Sequence, residues 1–438
     1  MVAGSSPAGP THYGCFLVDL GDGKIRVLVV SNYWTPQSSV PQRRWSWLTQ
    51  SLLEAGYEVA VVAPGGDGKS FQILYEAEAG TVGEDVIRVS GGAEAASITV
   101  RALKQAKVAV KSTLAAVVAT RKGSLMRPDL VIGTVPAIPT VAATFLIARF
   151  LKVPYAVDIR DAWPDLLQYS ESWNKSTGKK SVREILLRGA PLRLASGFTK
   201  WVMDKVFADA RFLISTSSRF ATVLKRRYPL GPRVVVVRNL FPTRAAKVST
   251  RAEGQPATRL RVLYAGKVGR AQGLENAIYA VAQAESLGVP VELRIVGSGA
   301  AFDSLRRLAH RLGANVHFYD QVGVDSLNNH YAWASTTLVH LADWLPLEMT
   351  VPSKTYELMA IGMHITSVTK GETSKLVEDL GAGIAVPPDD PIALAEKWRC
   401  LWETPELLDV SARPALWVQE QAKASTQRLL AEIATLES

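Results

Sequence analysis

The sequence predicts an α/β protein built as two tandem Rossmann-like domains, each a doubly wound parallel sheet, facing each other across a cleft. Three observations lead to that class. Short runs rich in Val and Ile alternate with helix-length segments from Lys24 onward. Continuous apolar runs of this kind suit strands buried on both faces, and the lengths between them suit right-handed crossover helices. Proline, glycine and charge then cluster over residues 241–259, after which the alternation starts again. Finally, 438 residues of which 47% are hydrophobic are enough for more than one core.

Taken in order, residues 1–23 read as a flexible leader, because they lack the charged, apolar and small-residue order of a signal peptide. Residues 24–242 form the first domain, with strands expected at 25–31, 58–63, 86–89, 129–133, 155–159, 211–215 and 233–237. Residues 243–259 are the linker. Residues 260–412 form the second domain, with strands expected at 260–265, 291–297, 315–319, 337–341, 364–368 and 383–386. A last helix, within 413–438, follows a proline and has no strand behind it. Open α/β sheets bind ligands outside the carboxyl ends of their strands, so the chemistry is sought in those turns.

The most informative turn is 351–362, VPSKTYELMAIG. Pro352 and Ser353 suit a helix start, proline being tolerated in the first turn and a serine hydroxyl able to cap free amides. Such an end, with Lys354 beside it, offers unpaired N–H groups and the positive end of the helix dipole to a pyrophosphate. Glu357 lies four residues beyond Ser353, about 5–6 Å down the same face, within reach of a ribose on the same nucleotide. A carboxylate accepts hydrogen bonds from both hydroxyls of a vicinal diol. The bland alternative is a surface glutamate near a helix start.

The first turn of the second domain, 264–273, reads YAGKVGRAQG. Gly266, Gly269 and Gly273 let the backbone turn tightly, while Lys267 and Arg270 offer fixed cations to charge developing on a leaving phosphate. Gln272 belongs to the same turn. Gly297 and Ser298 open a second glycine turn that lines the same site but lacks the third glycine of a dinucleotide fingerprint. In the first domain, Arg160 and Asp161 follow a strand and face the cleft, one to orient substrate hydroxyls and the other to polarise an acceptor. An Asp–Arg pair that merely locks a loop is the competing reading. Histidine is absent between His12 and His310, and no HExxH or paired Cys/His spacing marks a metal site. Cys15 and Cys400 make no disulfide framework, which fits a reducing compartment.

Charge is unevenly shared. Residues 1–250 carry 33 Lys and Arg against 18 Asp and Glu, whereas residues 251–438 carry 17 against 22. The first half is therefore expected to meet something anionic. Arg101, Lys104, Lys107 and Lys111 recur at helical spacing as a basic stripe, and Leu103, Ala106, Val110, Leu114 and Val117 recur on another face, expected to anchor that helix to the core. Arg43, Arg44, Trp45 and Trp47 add a basic-aromatic cluster suited to a membrane interface. No zinc knuckle, RNA-recognition signature or basic helix with interleaved aromatics supports a nucleic-acid partner. No apolar run is long enough to span a bilayer.

Together these residues resemble the retaining nucleotide-sugar glycosyltransferases of the GT-B fold, specifically glycosyltransferase family four. The resemblance runs from about Lys24 to Glu437 and rests on Val351-Pro-Ser-Lys354 with Glu357 and Gly362, Tyr264-Ala-Gly266 with Gln272-Gly273, Gly381-Ala-Gly383 with Val386-Pro-Pro-Asp389, and Arg160-Asp161 with Trp163-Pro164. It is most similar to the branch that builds bacterial surface polysaccharides. The resemblance implies transfer with retention and without a metal or cofactor, from a nucleotide diphosphate-sugar, UDP-linked, to a lipid-linked or polysaccharide acceptor, by a cytoplasmic protein at the inner face of the cell membrane. It places the donor in the second domain and the acceptor in the first. The ribose-holding glutamate of the family's E-x7-E motif maps to Glu357. The first glutamate would stand at Met349, with Glu348 one residue out of register. The family's diphosphate-binding Arg and Lys map to Lys267 and Gln272, leaving Arg270 to supply the missing charge, and a first-domain histidine maps to Arg160. The competing function is a catalytically silent scaffold of the same fold that binds nucleotide or membrane.

Overall fold

The computed structural model describes residues 24–34, 40–65, 74–91, 98–135, 138–162, 190–240 and 258–436. The leader, most of the linker and the Trp163-Pro164 pair lie outside the described residues. The first domain carries strands β1 (Arg26–Val30), β2 (Glu58–Pro64), β3 (Tyr75–Ala79), β4 (Asp85–Val89), β5 (Leu130–Val135), β6 (Tyr155–Ile159), β7 (Phe212–Ser215) and β8 (Arg233–Val236). Its helices are α1 (Val40–Glu54), α2 (Ile98–Arg121), α3 (Ile138–Leu151), α4 (Ala190–Asp209) and α5 (Ser218–Arg227). The second carries β9 (Leu260–Ala265), β10 (Val291–Val296), β11 (Val316–Tyr319), β12 (Thr336–His340), β13 (Ile365–Val368) and β14 (Gly383–Val386). With them come α6 (Glu275–Ser286), α7 (Phe302–Leu312), α8 (Val324–Trp333), α9 (Ser353–Ala360), α10 (Glu372–Asp379), α11 (Pro391–Glu403) and α12 (Arg413–Ala434).

The first sheet has the order β3-β4-β2-β1-β5-β6-β7-β8 and the second β11-β10-β9-β12-β13-β14. Every pairing is parallel except β3 with β4. The buried strands match the apolar runs in the sequence. β3, absent from the expected set, reads YEAEA and is mostly exposed, an antiparallel edge without the apolar signature of the interior. The chain reverses direction across the sheet between β1 and β5, and again between β9 and β12, so each domain has a crevice at the carboxyl ends of those strands. The last helix returns to the first domain, where Leu429 and Ile433 of α12 join the core formed by β1, β2 and α1.

Two expectations are corrected by packing. In α2 the inward face is Val108, Ser112, Ala115, Ala116, Val117 and Ala119, so Val117 of the expected anchors is buried, whereas Leu103, Ala106, Val110 and Leu114 point outward. The small residues face the sheet because they let the helix approach it closely. Of the basic stripe, Lys104 and Lys107 are exposed, and Lys111 turns inward to bond the Ser90 carbonyl at 3.3 Å and the Ser90 hydroxyl. The side chain of Arg101 lies outside the described part of the helix. The second correction concerns α1. Arg44 and Trp45 are fully buried, so neither meets a membrane. The Asp158 carboxylate, at the end of β6, accepts from Arg44 Nε at 3.0 Å, Arg44 Nη2 at 2.9 Å and Trp45 Nε1 at 2.9 Å. Trp47 is half-buried and packs against both the first-domain core and the second-domain cluster that contains Tyr331 and Tyr356.

Candidate active site in the interdomain cleft

Three segments of the second domain converge at its β9–β12 crevice. After β9 the chain turns at Gly266, whose amide bonds the Val296 carbonyl at 2.9 Å, and Val268, fully buried, bonds the Ser298 carbonyl at 2.9 Å. The next turn is pressed against the first. A Cβ at Gly297, where φ is +153°, would lie 1.8 Å from the Gly266 carbonyl oxygen, so only glycine fits there. Val268 thus pins the loop from below and leaves Lys267 exposed in the cleft, with Arg270 partly exposed beside it. Arg270 Nε is buried and has no hydrogen-bond partner among the described residues. Gln272 is used within the loop, its side-chain oxygen accepting from the Gly269 amide at 3.1 Å. The Ser298 hydroxyl bonds Gln321 at 3.1 Å.

The third segment is α9. Its cap residue is Pro352, with no side-chain cap, and Ser353 is the first helical residue rather than the cap. The first-turn amides therefore keep their dipole end open toward the β9 loop. Lys354 folds back over that loop: a Cβ on Gly266 would lie 3.9 Å from its Cε, and its Nζ stands 3.4 Å from the Tyr331 hydroxyl. Burial pulls the Lys354 amine below its usual range, Glu357 partly restores it, and Arg43 of α1 lowers it further. Glu357 is partly exposed, one turn on. Arg43 and Trp47, four residues apart on one face of α1, thus look toward the second domain rather than outward.

From the opposite side come Arg160 and Asp161. Arg160 is buried, its Nε bonding the Val135 carbonyl at 2.8 Å. Burial raises the Asp161 carboxyl above the usual carboxylate range, while Arg160 and then, across the cleft, Lys267 pull it back. Arg160 accordingly locks the end of β6, and Asp161 presents a carboxyl with elevated proton affinity to the cations of the other domain. The structure brings Asp161, Lys267, Gly266, Lys354 and Glu357 to one cleft. It does not bring Lys104 and Lys107 there.

A match to the family model described as "Glycosyl transferases group 1" covers residues 259–404, and one to "Glycosyl transferase 4-like domain" covers residues 41–240. The chain belongs to the group 1 glycosyltransferases. Its similarity to the "Probable glycosyltransferase WbjE" of Pseudomonas aeruginosa is 31% identity over 135 residues, 30% of this chain and 32% of that one, so the match spans about a third of the relative's length. Among solved structures, sucrose-phosphate synthase from Thermosynechococcus elongatus superposes with a TM-score of 0.66 at 18% identity, covering 94% of this chain and 98% of that one. Anabaena HepE in complex with UDP-glucose superposes at 0.58 with 14% identity, covering 94% and 98%. These likenesses establish the GT-B fold.

Within this glycosyltransferase the segment after β12 departs from the resemblance in a defined way. Met349 is buried against the first-domain core, and Glu348 pairs with Arg219 of α5 at 2.7 Å. Glu348 thus ties the two domains together. A clasp beside it was missed from the sequence because its bonds between the two domains join residues more than a hundred positions apart. Arg238 bonds Glu372 at 2.6 Å, the Tyr356 hydroxyl at 3.1 Å and the Ser218 hydroxyl at 2.8 Å. Glu372 also accepts from the Ser218 and Arg219 amides. His340, at the end of β12, is likewise unforeseen. It is buried beneath the Gln272 turn, 3.1 Å from Asn276 Nδ2, and burial lowers its pKa to about 4.

Proposed function

We propose that this glycosyltransferase moves a sugar, with retention of anomeric configuration, from a nucleoside diphosphate donor of the UDP class to a lipid-linked or glycan acceptor in surface-glycan assembly. The observation that carries the reading is the meeting of an uncapped helix end, Pro352-Ser353-Lys354, with the Lys267–Arg270 turn at the β9–β12 crevice. The donor's diphosphate lies at the first turn of α9, where free amides and Lys354 favour negative charge. Glu357, one turn along, accepts from the ribose hydroxyls. As the bond to the sugar breaks, charge gathers on the leaving phosphate, and Lys267 and Arg270 stabilise it without needing a metal ion. Gly266, Gly269, Gly297 and Ser298 shape the backbone around it, and Gln272 holds the turn. Asp161, opposite Lys267, accepts a hydrogen bond from the acceptor hydroxyl and orients it, with Arg160 holding the strand end that carries it. The UDP class draws support from HepE, whose structure holds UDP-glucose. A lipid-linked acceptor implies a protein working at a membrane surface. We take that attachment to be peripheral; among the described residues no helix is long and apolar enough to cross a membrane.

The test is transfer itself. The purified protein is incubated with a panel of nucleotide sugars and a polyprenyl phosphate-linked acceptor, with and without chelator, and product is read by mass spectrometry. One UDP-sugar is expected to give a glycosylated product at an unchanged rate in chelator. Tight UDP binding with neither transfer nor donor hydrolysis would leave the scaffold reading in its place.

A further inference from the structure

The first-domain crevice keeps one cation that its buried ion pair does not use. Arg160 follows β6, beside the end of β5. The Thr216 hydroxyl donates to the Arg160 carbonyl at 2.9 Å, and Arg160 Nε donates to the Val135 carbonyl at 2.8 Å, so backbone and side chain are both fixed. Only 7% of the residue is exposed. Among the described residues the two terminal amines of its guanidinium bond nothing.

Two carboxylates lie within electrostatic reach, and neither is spent on Arg160. Asp158 is taken up by Arg44 and Trp45. Asp161, the next residue, forms no salt bridge with Arg160 among the described residues. Burial accordingly pulls the guanidinium below its ordinary value, and Asp161 and Asp158 restore it only in part. The Thr134 hydroxyl donates to the Ser31 hydroxyl at 3.1 Å, and Ser31 donates to the Tyr33 carbonyl at 2.8 Å, so these neighbours are already satisfied.

A guanidinium is a planar fork of five N–H donors. Locking the strand end takes the Nε bond alone. With Nε turned to Val135, the edge formed by Nη1 and Nη2 remains, and its two parallel N–H groups match two oxygens of one carboxylate or phosphate. An edge held in one orientation, buried and unpaired, is a receptor for an anion rather than a solvated charge. Tyr33, partly exposed, stands within electrostatic reach of it, and Asp161 faces Lys267 across the cleft.

We propose that Arg160 holds an anionic group of the acceptor through both terminal amines, either the carboxylate of a uronic acid or the phosphate that links a glycan to its carrier. Adjacent Cα atoms are about 3.8 Å apart, so this anion belongs to the sugar whose hydroxyl Asp161 orients, or to the linkage next to it. The anion site rests on the transfer reading of the cleft, with the acceptor in the first domain.

Calorimetric titration of protein saturated with UDP, which occupies the anion site of the second domain, tests it. The probes are methyl glucuronide, its carboxamide, N-acetylglucosamine 1-phosphate and methyl glucoside, each run on wild type, Arg160→Gln and Arg160→Lys. The melting midpoint reports whether each variant is folded. Wild type binds one of the two anionic probes roughly 10–100-fold more tightly than the neutral ones, as expected for paired hydrogen bonds to a charged partner. The tighter anion names the source. Arg160→Gln loses the preference, and Arg160→Lys, which keeps the charge without the fork, recovers only part of it. An Arg160 that only locks the strand would move the midpoint and leave the preference intact. No preference for either anion in wild type, or a preference that survives in folded Arg160→Gln, overturns the proposal. Should neither variant fold, the wild-type comparison of carboxylate with carboxamide and of sugar phosphate with methyl glucoside decides it. Wild type that fails to bind UDP defeats the donor reading instead, and the same titration without UDP then decides Arg160.

Discussion

The two crevices of this molecule arise from the same winding rule, one at β1, β5 and β6, the other at β9 and β12, and they are furnished in opposite ways. In the first, Arg44, Trp45 and Asp158 satisfy one another with three bonds at 2.9–3.0 Å and admit no solvent to the ion pair. In the second, Lys267 and Arg270 make no salt bridge among the described residues, and the α9 amides lack a side-chain cap. The contrast teaches what distinguishes a scaffold from a binding site when the fold is shared. A buried charge set that is complete holds a loop in place. A charge set left open calls for an external anion.

Breaking the closed set has the largest expected effect. Arg44→Met leaves the Asp158 carboxylate buried and unpaired, which costs about 3–5 kcal/mol. Arg44→Met with Asp158→Asn removes both charges and is expected to recover part of that loss. Urea unfolding measures both, and a single-variant loss below about 1 kcal/mol would show that the pair does not hold the first crevice.

Acid probes the second domain on a smaller scale. Burial lowers both His340 and His364 from 6.5 to about 4. Their folded pKa values lie below the unfolded ones, so the unfolded chain binds more protons between them. Stability is therefore complete above about pH 6.5, falls as pH drops toward 4, and levels off below that. The loss has an upper bound of about 3 kcal/mol per histidine. His364→Asn should flatten the pH dependence of unfolding for the second domain, and a slope identical to wild type would remove His364 from this role.

The open crevice was legible in the sequence because its parts are local. The glycine turn after β9 and the Pro-Ser-Lys start of α9 are each contained within a dozen residues, and strand-end turns are where such sheets bind ligands. The closed crevice was not, because Arg44 and Asp158 are 114 residues apart and nothing in either neighbourhood names the other. Arg44 and Trp45 therefore looked like a surface cluster. In α2 the periodicity was present but ambiguous, since alanines and larger aliphatics both recur at helical spacing. Packing resolved it in favour of Val108, Ala115, Ala116, Val117 and Ala119, and so left Leu103, Val110 and Leu114 in the open. The departures at Met349 and Glu348 were visible in sequence, but their reason was not. It lies in the contacts of that segment with α5 and the first-domain core.

The central claim is that the open crevice holds a nucleoside diphosphate with its ribose on Glu357. Calorimetric titration of UDP into wild type and Glu357→Ala tests it most directly. The account predicts a wild-type site of 1:1 stoichiometry and a loss of about 1.5–3 kcal/mol in the folded variant, the scale of charge-assisted hydrogen bonds. Equal UDP affinity in the two folded proteins would contradict it.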